Sequence, residues 1–142
     1  MSLVARYLER NGIPTVVMGA AKDIVEWAGV PRFLYSDFPL GNSCGKPHEP
    51  DTQRFTLDLA LKVLESAVGP RTTVQSPLRW NEDGDWKNDY NNLDRMPAEE
   101  VAKRFHGAPT NRSQRVTLET DAPEILQRCR QDQVDAALLV PT

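Results

Sequence analysis

Along the first third of the chain, helix-spaced apolar residues give way to adjacent apolar runs, and the change falls twice on the same short phrase. Gly12-Ile13-Pro14-Thr15-Val16-Val17 and Gly29-Val30-Pro31-Arg32-Phe33-Leu34 both read glycine, branched apolar, proline, polar, apolar, apolar. Glycine can take the left-handed conformation that ends a helix, and a proline soon after directs the chain onto an extended path. Each phrase therefore predicts a helix-to-strand joint. The first helix places Leu3, Val4, Tyr7 and Leu8 on one side; the second, from about Ala20 to Ala28, turns Ile24, Val25 and Trp27 inward. The strand after it runs from Arg32 to Phe38. Helix, strand, helix, strand in close succession predicts a parallel sheet.

The third helix opens on Pro50 and Asp51, residue types suited to a first turn, and carries Phe55, Leu57, Leu59, Leu61, Val63 and Leu64 as a broad apolar face before Gly69-Pro70. Thr72 to Gln75 reads as a short strand. From Asn81 to Glu100 seven acids stand against two bases, with four asparagines and little periodicity, which predicts an exposed arm. Order resumes at Pro97 with a short helix through Val101 and Phe105, closed by Gly107. A breaker-rich stretch from Gly107 to Ser113 leads to a strand at Arg115 to Leu118. The last helix starts like a capping box, with Asp121 as N-cap and Glu124 three residues on, and puts Ile125, Leu126 and Cys129 on one face. The segment Val134 to Val140 is the closing strand. The expected fold is a three-layer α/β sandwich with a mainly parallel sheet of about five strands and five helices, flavodoxin- or Rossmann-like. It forms one domain over residues 1–142, with an acidic irregular arm at about 81–96.

Bulk properties narrow the partners. A chain of 142 residues suits one domain, and folding at that length buries roughly 68–70% of the unfolded chain's surface. Seventeen Lys and Arg against twenty Asp and Glu give a net charge of −3 and no clustered positive face, which argues against nucleic acid. The longest apolar run, Ala136 to Val140, is far too short to span a bilayer. The first residues lack a basic region followed by an apolar core, and two cysteines do not make a disulfide framework, so a reducing cytoplasm is the expected compartment.

The candidate chemistry gathers in one loop. Gly41-Asn42-Ser43-Cys44-Gly45 matches the form of a Gly-x-Ser-x-Gly nucleophile elbow, which needs a strand before it and a helix directly after. The two prolines in Lys46-Pro47-His48-Glu49-Pro50 oppose that helix. The same residues fit a glycine-rich turn whose amides face a ligand, or a plain surface loop. Cys44, Cys129, His48 and His106 have the right number and type for one zinc. Their spacing does not support it, because no Cys-x-x-Cys pair exists and Cys129 falls on a core stripe. Cys44 differs, standing beside Lys46 and His48, whose positive charge would depress a thiol pKa; a reactive thiol and an inert loop cysteine are both open. Asp83 to Lys87 starts like a calcium loop, but Lys87 takes a ligand position. Gly19-Ala20-Ala21-Lys22 lacks a dinucleotide or phosphate-loop fingerprint, leaving only an anion at a helix start. Trp80, Trp86 and Tyr90 would either grip a partner or pin the arm to its own domain.

The stretch from Val4 to Val17, then Phe38-Pro39-Leu40-Gly41-Asn42, and separately Asp135 to Thr142, resemble the C-terminal α/β domain of the glycine/sarcosine/betaine reductase selenoprotein B family and its D-proline-reductase relatives. The resemblance covers residues 1 to about 80 and about 121 to 142. It implies a reductase in which selenocysteine or cysteine, two residues from a second cysteine, cleaves a carbon–nitrogen bond of an amino-acid derivative. In that family the Cys/Sec-x-x-Cys loop follows a strand like Asp135 to Thr142 and precedes a helix like Ser2 to Asn11. Here the motif is missing and its flanks stand at opposite termini, as in a permuted relative or a reading frame ended at a selenocysteine codon.

These readings predict that Ser2 and Thr142 approach each other, within one chain or across a homodimer, beside the Gly41–Gly45 bend. Gly41 and Gly45 are expected to allow close backbone approach, Asn42 and Ser43 to bind a substrate carboxylate, His48 to line the site and Cys44 to be the catalytic thiol, with no metal or other cofactor. The expected partners are an amino-acid derivative and other reductase subunits. The competing reading is a non-catalytic binding or assembly subunit.

Overall fold

A computed structural model describes residues 1–90 and 114–140 of the chain. In order these form α1 (Ser2–Arg10), β1 (Thr15–Gly19), α2 (Lys22–Trp27), β2 (Arg32–Tyr35), α3 (Pro50–Ser66), β3 (Thr72–Gln75), α4 (Trp86–Tyr90), α5 (Gln114–Val116), a π-helical turn (Thr117–Asp121), α6 (Ala122–Gln131) and β4 (Ala137–Leu139). The strands make one four-stranded sheet in the order β3-β2-β1-β4, and every pairing is parallel.

Both Gly-x-Pro phrases act as the expected joints. At the end of α1 the Gly12 N–H bonds the Glu9 carbonyl at 3.1 Å and the Ile13 N–H bonds the Leu8 carbonyl at 3.0 Å, the paired pattern that closes a helix through a left-handed residue. Gly12 supplies that residue with a φ of 87°, and Gly29 repeats it after α2 with 68°. The proline that follows each glycine has no N–H to give. It stands where only a carbonyl is wanted: Pro14 O accepts from the Ala137 N–H and Pro31 O from the Thr72 N–H, starting the neighbouring strand in each case.

Successive strand residues face opposite sides, as a pleated strand requires. Val17 and Phe33 pack with Ala5 of α1 and Val30 on one face, where Val25 of α2 joins them. Val16, Met18 and Leu34 pack with Ala60 and Val63 of α3 on the other. A third cluster seats Ala122 and Leu126 of α6 on Val4, Leu8 and Ile13.

Several expectations are corrected. Among the described residues the sheet has four strands, and the expected strand at Arg115 to Leu118 is helical: α5 runs through the π turn into α6 with right-handed helical dihedrals at Val116, Asp121 and Ala122. Arg115 and Glu119, one turn apart, pair at 3.6 Å, a contact that belongs to a helix. Asp121 makes no side-chain cap bond, so the capping box does not form; the widened turn instead brings the chain to Pro123, whose ring and missing N–H a regular helix would not accept. On α2, Ile24 and Trp27 face outward at 66% and 92% exposure, since six residues give only one inward row, and Val25 occupies it. On α3 the buried row is Thr56, Ala60 and Val63, while Phe55, Leu57 and Leu61 lie at the surface. That helix stops at Ser66, before Gly69-Pro70, with Ala67 extended. Within the arm, Trp86 to Tyr90 forms a helical turn. The short helix from Pro97, the stretch 107–113, His106 and Thr142 lie outside the described residues. Among the described residues no helix is long and apolar enough to cross a membrane.

Candidate functional site

In an open parallel sheet the loops that can hold a ligand lie beyond the carboxyl ends of the strands, where the strand order reverses. Here it reverses between β1 and β4: the chain steps from β1 to β2 to β3, then returns to pair β4 with the far side of β1. A cavity of about 320 Å³ sits at that point. Val17 and Gly19 of β1 form its floor, Met1 and Ser2 at the start of α1 one wall, and Leu40, Gly41 and Ser43 another. The register places Leu139, the last residue of β4, opposite Val17. The start of α1 and the Gly41–Ser43 bend therefore meet at one cavity.

The bend splits the predicted residues between two sides. Gly41, with a φ of 88° and open space where a Cβ would stand, lines the cavity together with Ser43, which is 3% exposed. Cys44 is half-buried and packs on the opposite face, against the cluster of Val16, Met18 and Leu34 beside α3. Asn42 turns its side-chain amide to its own loop, donating Nδ2–H to the Pro39 and Leu40 carbonyls at 3.2 and 3.4 Å. Gly45 does approach a backbone closely, but that backbone is α3 rather than a ligand: a Cβ there would lie 2.7 Å from Gln53 N and Cα. His48 is exposed and has a φ of 61°. After Ser43 the chain turns until α3 begins at Pro50, so no helix follows directly as a nucleophile elbow requires.

The electrostatics of Cys44 run against the sequence expectation. Lys46 and His48 were expected to lower the thiol pKa, yet burial pushes it up from its ordinary value, because the low-dielectric surroundings disfavour thiolate. Alkylation of Cys44 by iodoacetamide, followed by mass spectrometry, is accordingly expected to be slower than that of a free cysteine at neutral pH and to accelerate only further into the alkaline range. A rate equal to the free amino acid's at pH 7 would contradict this.

Sequence reading placed Ser2 at the edge of the site beside the Gly41–Gly45 bend, and the cavity is lined by Ser2, Gly41 and Ser43; it named Leu40 only as part of the bordering loop. It missed Asp37 and Ser76, which follow β2 and β3 at the same edge of the sheet; for Ser76 the position just after a predicted strand was the available signal, whereas Asp37 fell inside the strand expected from Arg32 to Phe38. Among the described residues no three or more His, Cys, Asp or Glu side chains gather as a metal site.

No protein-family model matches the chain, and no solved structure does. Among curated proteins it is similar to the D-proline reductase subunit gamma of Acetoanaerobium sticklandii, with 34% identity over 78 residues, 55% of this chain and 32% of that protein. The chain thus spans about a third of the length of the curated relative it matches.

Proposed function

We propose that this chain is a substrate-binding module of a reductase complex of the D-proline-reductase kind, holding a small amino-acid derivative for reductive carbon–nitrogen cleavage. The observation that carries this reading is the cavity at the carboxyl end of β1, taken with the similarity to a reductase subunit. Val17, Val25 and Leu40 offer an apolar wall for the body of such a molecule. The start of α1, which has no side-chain cap, offers amide N–H groups and the positive end of the helix dipole to a carboxylate. The volume lies within the range of small-ligand pockets.

Reductive cleavage of a carbon–nitrogen bond consumes two electrons and two protons, which a pair of thiols supplies by closing to a disulfide. Cys44 and Cys129 are the chain's two cysteines, and they sit in clusters on opposite faces of the sheet. On this reading the electron pair comes from a thiol or selenol pair on a partner subunit, and Cys44 is a packing residue.

Calorimetric titration with D-proline tests the proposal. Saturable binding is expected, weakened at least tenfold by Leu40→Glu, whose carboxylate repels that of the ligand at an exposed wall position, and unchanged by Cys44→Ser. Binding that ignores Leu40→Glu, or that disappears in Cys44→Ser, would overturn it.

A further inference from the structure

A second cavity, of about 440 Å³, opens at the carboxyl ends of β2 and β3, and its wall includes Asp37, Trp80, Trp86 and Lys87. It shares no lining residue with the cavity under Gly41 and Ser43. Asp37 follows β2 by two residues, and Tyr35 donates its hydroxyl to Asp37 Oδ1 at 3.0 Å, which orients the carboxylate. The other oxygen, Oδ2, accepts from Lys87 Nζ at 2.5 Å. That ammonium also stands 5.5 Å from the centroid of the Trp86 ring, within reach of cation–π attraction. Trp80 is held edge-on to Phe38 with centroids 5.5 Å apart, which fixes the segment carrying this wall to the sheet.

One positive charge thus meets the indole of its sequence neighbour and a carboxylate fifty positions away. The Lys87 side chain is 53% exposed, so burial does not lock it there, and ion pairs of that exposure are weak. Glu82 and Asp83 line the same cavity. With Lys87 withdrawn, the lining acids among the described residues are Asp37, Glu82 and Asp83 against the base Arg79.

We infer that this cavity binds an alkylammonium or alkylguanidinium group, recognised by Asp37 and Trp86, and that Lys87 is a tethered occupant which an incoming cation displaces. The group can arrive on a free amine or on the side chain of a partner, since the contact chemistry is the same. A tethered competitor lowers the apparent affinity by the fraction of time it is seated. An exposed ion pair plus an exposed cation–π contact sets that penalty at roughly three- to tenfold.

Tryptophan fluorescence of the full chain during titration with n-butylammonium chloride reads the site, with n-butanol and sodium chloride at matched ionic strength as controls. A saturable change specific to the ammonium is expected in the natural protein, with the dissociation constant tightened three- to tenfold in Lys87→Met. It should be lost when Asp37→Asn is added. Trp86→Leu is the parallel variant should Asp37→Asn fail to melt cooperatively, and it too should lose the response. Repeating the titration with an end-blocked lysine tetrapeptide separates the sources: binding equal to or tighter than butylammonium assigns a partner's side chain, weaker binding a free amine. No ammonium-specific response in any protein, or Lys87→Met binding no more tightly than the natural chain, would overturn the inference.

Discussion

Alanine at position 45 is expected to cost about 3 kcal/mol of stability, the sum of a strained backbone dihedral and an overpacked contact. Gly45 has a φ of 111°, and its missing side chain is what lets the loop lie on the first turns of α3, where Gln53 N and Cα would be 2.7 Å from a Cβ and Thr52 C 2.9 Å. Neither contact can yield cheaply, since both are helix backbone. The loop is also stitched to that helix, with the Lys46 N–H donated to Thr52 Oγ1 at 3.0 Å and Gln53 Nε2–H to the Lys46 carbonyl at 2.9 Å. Pushing the loop away would therefore move the Gly41–Ser43 wall of the cavity as well. Gly12→Ala is the control: its φ is 87° but nothing lies within 4 Å of the added carbon, so only the dihedral strain applies, about 1 kcal/mol. Urea unfolding of both variants gives the comparison. Equal losses would mean that the contact with α3 contributes nothing.

Glu9→Ala should destabilise by about 2–4 kcal/mol, because it strands two groups at once. The Glu9 carboxylate accepts the Thr15 N–H at 2.7 Å and Arg32 Nη1 at 2.8 Å through each of its oxygens. Thr15 opens β1 and Arg32 opens β2, so one side chain near the end of α1 ties together the amino ends of the two central strands. The Arg32 side chain is only 17% exposed, and water replaces the lost partner poorly at such a site. Glu9→Gln keeps an acceptor for Thr15 while removing the charge, and should fall between Glu9→Ala and the natural protein. A double-mutant cycle with Arg32→Ala isolates the pair; a coupling energy near zero would show that packing rather than the ion pair carries the effect.

The central sheet was legible because local signals agreed with one another. Gly12 and Gly29 have the φ that a helix stop requires, the prolines after them suit strand starts, and the runs beginning at Thr15 and Arg32 are apolar enough to be buried. Where two periodicities fit equally well, the reading failed. Arg115-Val116-Thr117-Leu118 alternates polar and apolar over four residues, too few to distinguish a strand from a helix face, and the tertiary answer was a helix packed near α1. On α3 apolar residues occur nearly all round, so no pattern could tell that small Thr56 and Ala60 would face the sheet while Phe55, Leu57 and Leu61 would not. The end of α6 carried no glycine to mark it, because Gln133 takes the left-handed conformation itself, with a φ of 54°.

The candidate site divided similarly. That the loop after β2 would border a cavity followed from the order of elements. That Ser43 and Cys44, adjacent in sequence, would face opposite sides of the sheet did not, because the direction of a loop side chain depends on packing against elements far along the chain.

The placement of the two cysteines has a practical consequence for anyone handling the protein. With a sheet between them, oxidation cannot staple one molecule to itself while it stays folded. Any covalent link that forms in air joins two separate molecules, so a non-reducing gel would register only species of higher mass and no faster-running monomer.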